Sequence, residues 1–97
     1  YQVFNFPNPV SRSTVFTFQR NSTEPVDVTV KVFTVAGRLV DEIEAYAIID
    51  RFVQIQWDAR DRNGDALANG VYFYKIITNS ADRSSSREAV GKLTMLR

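Results

Sequence analysis

The sequence predicts an all-β fold, a seven-stranded antiparallel immunoglobulin-like β-sandwich. Three observations predict it. Short runs of alternating apolar and polar residues recur along the chain, as strands with one buried face require. Clusters of Asn, Asp, Gly, Pro and Ser separate these runs at short intervals. The length, 97 residues, suits a single domain with one sheet-on-sheet core.

Each element has its own warrant. Val3-Phe4-Asn5-Phe6 is a short apolar strand closed by Pro7-Asn8-Pro9. Proline lacks an N–H and fixes φ, so this segment belongs at a sheet edge or in a turn. Thr14 to Gln19 is the second strand, with Phe16 and Phe18 on one face, and Asn21 to Pro25 is a polar turn. Val26, Val28, Val30 and Val32 alternate with Asp27, Thr29 and Lys31, the cleanest half-buried strand of the chain, which runs on to Val35. Ala36-Gly37-Arg38 is a tight turn in which Gly37 supplies a positive φ. Helical spacing can be forced onto residues 39 to 49, but the β-branched residues around it and the short flanking turns favour a fourth strand.

The stretch from Trp57 to Tyr74 organises the rest. Val53, Ile55 and Trp57 alternate with Gln54 and Gln56, so the single tryptophan ends a half-buried strand and anchors a core. Asp58 to Asp65 reverses the chain, with Asn63-Gly64 as the turn signal and Asp58 and Asn63 expected to satisfy loop amides. Gly70 ends the loop. The strand that follows, Val71 to Ile77 with Tyr72, Phe73 and Tyr74, is apolar on both faces, as a central strand should be. Thr78 to Ser86 reads as a mobile polar hairpin loop, and Glu88 to Leu96 as the last strand.

Composition removes whole classes of function. Twelve basic and eleven acidic side chains give a net charge of +1, without the electrostatic footprint of a nucleic-acid or anionic-membrane binder. There is no cysteine and no histidine, so thiolate chemistry, disulfides and the commonest general base and metal ligand are excluded. No cofactor is expected. No apolar run approaches membrane-spanning length. The chain opens on Tyr1-Gln2-Val3, which reads as one domain, residues 1–97, cut from a longer protein.

The candidate chemistry is thin. Asp58, Asp61, Asn63 and Asp65 could supply oxygens to a calcium ion, but aligning Gly64 with the EF-hand glycine puts Ala59 at the first ligand position, so turn chemistry is the stronger reading. Asp58 with Asp61, or Asp41 with Glu42, would make a carboxylate pair without a cleft. Phe33, Trp57, Tyr72, Phe73 and Tyr74 could form a flat sugar-binding platform or a core cluster, and the core reading is stronger. Asn21-Ser22-Thr23 matches an N-glycosylation acceptor but sits in an ordinary turn, and Ser84 to Ser86 have no base to activate them.

The motifs taken together carry a resemblance. Phe6-Pro7-Asn8-Pro9, Thr14 to Phe18, Val32 to Val40 with Gly37-Arg38, Trp57 to Asp65 with Gly64, Gly70 to Lys75 with Tyr72, and Lys92-Leu93 occur in this order over nearly the whole chain. They resemble the C-terminal immunoglobulin-like domains of proteins exported by the Bacteroidota type IX secretion system, nearest to the last domain of that system's gingipain-like cysteine peptidase, the sortase. The Ig-like domain of the flagellar hook-capping protein is similar more loosely. Ala59 departs from the glycine that relatives often place after Trp-Asp, and Val10 from a phenylalanine after Pro-Asn-Pro.

The resemblance implies a non-catalytic sorting and docking domain of a larger exported protein, located from the periplasm to the outer membrane or cell surface. Its partners would be an outer-membrane β-barrel component of the secretion machinery and the upstream domains of the same chain. The recognition residues it implies are Lys92, Leu93 and Arg97 at the basic C-terminal end. Unpaired outer strands also allow a strand-mediated dimer. The alternative is a carbohydrate- or cell-wall-binding module, which requires Trp57, Tyr72 and Tyr74 to lie exposed. A third reading is a structural spacer or flagellar cap domain.

Overall fold

Alternation decides the architecture: each strand has one apolar face, and two sheets bury those faces against each other. The computed structural model describes residues 3–82 and 84–97. Tyr1, Gln2 and Arg83, the last in the expected serine-rich loop, lie outside the described residues. Seven strands run in order: β1 (Val3–Phe6), β2 (Thr14–Gln19), β3 (Val26–Thr34), β4 (Leu39–Ile48), β5 (Phe52–Trp57), β6 (Gly70–Ser80) and β7 (Ser86–Met95). A three-stranded sheet has the order β1-β2-β5 and a four-stranded sheet the order β4-β3-β6-β7, with every strand pair antiparallel. This is the expected immunoglobulin-like sandwich, and the segment open to a helical reading is β4.

One expected loop is shorter than the sequence suggested. Thr78, Asn79 and Ser80 extend β6, because β3 begins early enough to pair them with Val28, Asp27 and Val26, while Arg87 and Ser86 pair Thr78 and Asn79 from the other side. Polar side chains at the end of a central strand cost little when both backbone ladders are filled.

The core joins the sheets through three rings. Phe16 on β2 lies 4.7 Å from Tyr74 on β6 and 5.8 Å from Trp57 on β5, both tilted. Val28, Val30, Val32 and Ile76 surround them from the four-stranded sheet, and Phe18 and Val53 from the other. The indole N–H of Trp57 donates to Asp41 Oδ2 at 2.8 Å, tying β5 to β4 where the two sheets meet. At the opposite end Arg20 donates to the carbonyls of Ile48 (2.9 Å), Asp50 (3.2 Å) and Glu24, closing the β2–β3 and β4–β5 turns with one guanidinium. Sequence reasoning did not single out Arg20.

β1 inverts the usual alternation. Asn5 points inward and is buried, donating to Thr14 Oγ1 at 3.2 Å and Pro7 O at 3.4 Å, while Phe4 and Phe6 point outward. On that outer face Phe6, Val15 and Gln56 form one row and Phe4, Thr17 and Gln54 the next, with Gln19 beside Phe52 in the third.

Ala59 explains its departure from the family pattern. It is fully buried at φ 57°, a left-handed conformation that suits glycine. Ala59→Gly relieves a conformational cost of about 1–2 kcal/mol. It loses a buried methyl worth about 0.8 kcal/mol and adds glycine's backbone freedom, about 0.5–1 kcal/mol. Urea unfolding is therefore expected to give a stability within about 1 kcal/mol of the parent. Ala59→Val should cost more than about 2 kcal/mol, because a β-branched residue fits neither the angle nor the space.

Candidate functional site

The last strand is the element the resemblance marked, and its two edges differ. Along one edge β7 pairs with β6 without a register shift, from Asn79↔Ser86 to Gly70↔Met95. Along the other, the C-terminal half is capped by the segment after β1. Asn8 Nδ2 donates to Lys92 O at 3.3 Å, and Asn8 Oδ1 accepts the Thr94 amide at 3.1 Å. The Val10 amide donates to Thr94 O at 2.7 Å, and Val10 O accepts the Leu96 amide at 2.9 Å. The Pro7-Asn8-Pro9 motif, with cis bonds at Phe6–Pro7 and Asn8–Pro9, is where the chain leaves β1 in one sheet and reaches β7 in the other. Asn5 and Thr14 hold that crossing from beneath, since Asn8 Nδ2 also donates to Asn5 Oδ1 at 3.3 Å and Thr14 Oγ1 to Pro7 O at 3.1 Å.

The N-terminal half of the same edge has no such cover. Backbone polar groups alternate sides along a strand. The N–H and C=O groups of Ser86, Glu88 and Val90 therefore point the same way as those of Thr94, with no partner among the described residues. Val90 is 62 % exposed there.

The three recognition candidates fall on different faces. Lys92 and Arg97 are exposed, and the Arg97 amide donates to Asn69 Oδ1 at 3.0 Å. Leu93 is fully buried, as is Met95, so its side chain packs the core between the sheets. Gly91, which sequence reasoning passed over, sits directly across from Tyr74, whose ring covers it. Burial of that ring pushes the Tyr74 phenol pKa above its ordinary value.

The remaining motif residues are structural. Gly37 adopts φ 93° in a turn closed by Gly37 N to Thr34 O at 2.9 Å and Arg38 N to Thr34 Oγ1 at 3.0 Å. Gly64 and Gly70 also have positive φ. Tyr72 donates its hydroxyl to Ala68 O at 2.8 Å, a tyrosine corner at the start of β6. The loop after Trp57 is held by a different side chain from the two expected: Asp61 Oδ1, rather than Asp58 or Asn63, accepts the amides of Asn63 and Asp65, each at 2.9 Å. Asp61 stands where a side chain can reach two amides ahead of it; Asp58 stands before the turn begins. Asp58, Asp61, Asn63 and Asp65 form part of this turn, and among the described residues no group of three or more His, Cys, Asp or Glu is placed to hold a metal ion. Asp41 of the other carboxylate pair accepts from Trp57 and from the Glu42 amide at 2.8 Å.

The exposed-aromatic requirement of the carbohydrate alternative is not met. Trp57, Tyr72 and Tyr74 are all buried, at 3 %, 8 % and 1 % exposure, because alternation turns all three toward the core.

The β6–β7 turn is built around Asp82. Its Oδ1 accepts the Ser84 hydroxyl at 2.7 Å, the Ser84 amide at 3.0 Å and the Ser80 hydroxyl at 2.8 Å. These bonds, the Ser84 hydroxyl first, lower its pKa from 3.8 to about 2. A carboxyl depressed in the folded state contributes stability above its unfolded pKa and loses it as pH falls through the folded value. The support this carboxylate gives the turn is therefore expected to fall progressively as pH drops below about 4 and to be largely gone below about 2. Carboxyl-carbon NMR should follow this, and Ser84→Ala should return the midpoint toward 3.8.

The FlgD Ig-like domain family matches residues 8–82. No curated protein sequence matches the chain. Among solved structures, dimeric latent PorU from Porphyromonas gingivalis aligns with TM-score 0.81 and 26 % identity, over 97 % of this chain and 9 % of that one. PorZ of the same organism, described as an essential bacterial surface component of the type IX secretion system, aligns with TM-score 0.58 and 20 % identity, over 98 % of this chain and 11 % of that one. FlgD from Xanthomonas campestris, described in connection with flagellar hook capping, aligns with TM-score 0.65 and 21 % identity, over 90 % and 58 %. The latter two, at these identities, share the fold. The chain thus spans about a tenth of the first two relatives. The relatives suggested by the sequence motifs, a type IX secretion protein and the hook-capping protein, are both among these structures. The chain belongs to the FlgD Ig-like domain family.

Proposed function

With that family as premise, we propose that this chain is a non-catalytic sorting and docking domain that directs or anchors a larger exported protein at the outer membrane through a type IX secretion system. The observation that supports it most is the match to PorU over 97 % of the chain at TM-score 0.81. The surface component PorZ supports the same setting. The absence of cysteine and histidine fits a domain that performs no peptidase chemistry, and any catalysis belongs to the rest of the parent protein. Among the described residues no helix is long and apolar enough to cross a membrane.

The partner is an outer-membrane β-barrel component of the secretion machinery. Lys92 and Arg97 offer it exposed positive charge, and Leu93 holds the strand that carries Lys92 and leads to Arg97. The uncapped edge at Ser86 to Val90 is the part of β7 open to strand addition, by that partner or by a second copy of the chain.

The test is capture from outer-membrane extract of the host, with bound proteins identified by mass spectrometry. The parent domain should retain a β-barrel secretion component, and a Lys92→Glu/Arg97→Glu variant should lose it. Equal retention by both would remove the charge contact. No barrel protein captured by the parent would overturn the docking function.

A further inference from the structure

The outer face of the β1-β2-β5 sheet has the composition of a covered surface. Phe6, Phe4 and Phe52 stand on it at 72 %, 54 % and 50 % exposure, the first two because Asn5 takes the inward position on β1 and Phe52 because Val53 takes it on β5. Their neighbours across the strands are Val15, Thr17 and three glutamines. None of the chain's twelve basic and eleven acidic side chains lies at these positions. The other sheet's outer face shows the contrast, with Lys31 beside Glu42 and Lys75 4.0 Å from Glu88. Depletion of charge with enrichment of aromatics marks the core of an interface rather than a solvated face.

We propose that this face packs against an adjoining domain of the same polypeptide, one that presents a flat, apolar, uncharged surface with amide or hydroxyl groups for the glutamines. The proposal rests on the reading of the chain as part of a larger exported protein. Two observations select this occupant. In PorU, PorZ and FlgD alike the matched domain is one part of a longer chain, as little as 9 % of it. β1, which carries Phe4 and Phe6, is the first strand and the edge of this sheet, so this face lies at the N-terminal side of the domain. Charge enters only at the border, where Arg20, Glu24 and Arg87 line a groove with Phe4 and Phe52, so the rows themselves give a free partner little long-range steering. Such a face suits one held nearby by the chain itself, at high effective concentration.

The experiment compares the 97-residue chain with the longer gene product that adds the preceding domain. Amide hydrogen exchange in β1, β2 and β5 should slow by about tenfold or more in the longer protein, with β7 unchanged. Phe4→Gln/Phe6→Gln/Phe52→Gln should abolish that slowing while circular dichroism of the isolated chain stays the same. If the triple variant fails to fold, Phe6→Gln alone, at the most exposed of the three, should still reduce the slowing. Equal exchange in the two proteins would overturn the proposal. So would a concentration-dependent dimer of the isolated chain that the triple variant loses, since a second copy would then be the occupant. Capture of the barrel partner is read through Lys92 on the other sheet and Arg97 beyond its last strand, so the two ideas fail separately.

Discussion

Deleting Lys92 to Arg97 is expected to unfold the domain, not merely to strip a surface address from it. The six residues include Leu93 and Met95, both fully buried between the sheets. Truncating a buried Leu or Met to Ala costs about 2–5 kcal/mol, and deletion removes both side chains with their strand. The same residues hold the Asn8 and Val10 bonds that join β7 to the segment after β1. Together these losses are comparable to the about 5–15 kcal/mol that stabilises a typical domain. Circular dichroism and the dispersion of the amide NMR spectrum would show it. A truncated chain with native dispersion would refute the packing described for β7. The consequence for function is direct: failure of a truncated fusion to be exported reports on folding as much as on recognition. The surface variant Lys92→Glu/Arg97→Glu leaves Leu93 and Met95 in place and separates the two.

The sheet architecture was legible because alternation is a local property. Val28, Val30 and Val32 declare their inward face within seven residues, and Val53, Ile55 and Trp57 do the same. What was not legible depends on contacts between distant parts of the chain. Proline in the opening segment marked a sheet edge, but nothing local shows that Asn8 bonds residues 84 and 86 positions away. The apolar run of β1 marks a strand, yet its facing follows a buried polar network of Asn5, Thr14 and Pro7 O that overrides hydrophobic alternation. The loop after Trp57 shows the intermediate case. Its composition announced Asx chemistry, while the choice of Asp61 over Asp58 and Asn63 follows from where the turn begins. The candidate site divides in the same way. The basic residues at the C-terminal end could be named from the sequence, but the capped and open halves of the β7 edge appear only when β1 and β7 are brought together.

Gly91→Ala should be the most damaging single-methyl change in the last strand. A Cβ at this position would lie 2.3 Å from Tyr74 Cζ, 2.4 Å from its hydroxyl oxygen and 2.7 Å from Cε2. The ring has little room to retreat, because Tyr74 is 1 % exposed and already packs at 4.7 Å on Phe16, which in turn lies against Trp57. Overpacking in such a core costs about 1–3 kcal/mol and sometimes more; with backing this rigid, about 3 kcal/mol is expected. For a domain of this size that corresponds to a drop of about 12 °C or more in Tm. Thermal unfolding checks the loss, and a double-mutant cycle checks its cause. Tyr74→Leu alone destabilises by removing a core ring, but Gly91→Ala added to it should cost about 1 kcal/mol or less, because the methyl then has space. A Gly91→Ala protein within about 0.5 kcal/mol of the parent would refute the ring-over-glycine contact, and additive losses in the cycle would place the damage elsewhere. Gly91 lies between the open and capped halves of the β7 edge, so this substitution also asks whether the edge keeps its shape when the ring beneath it is displaced.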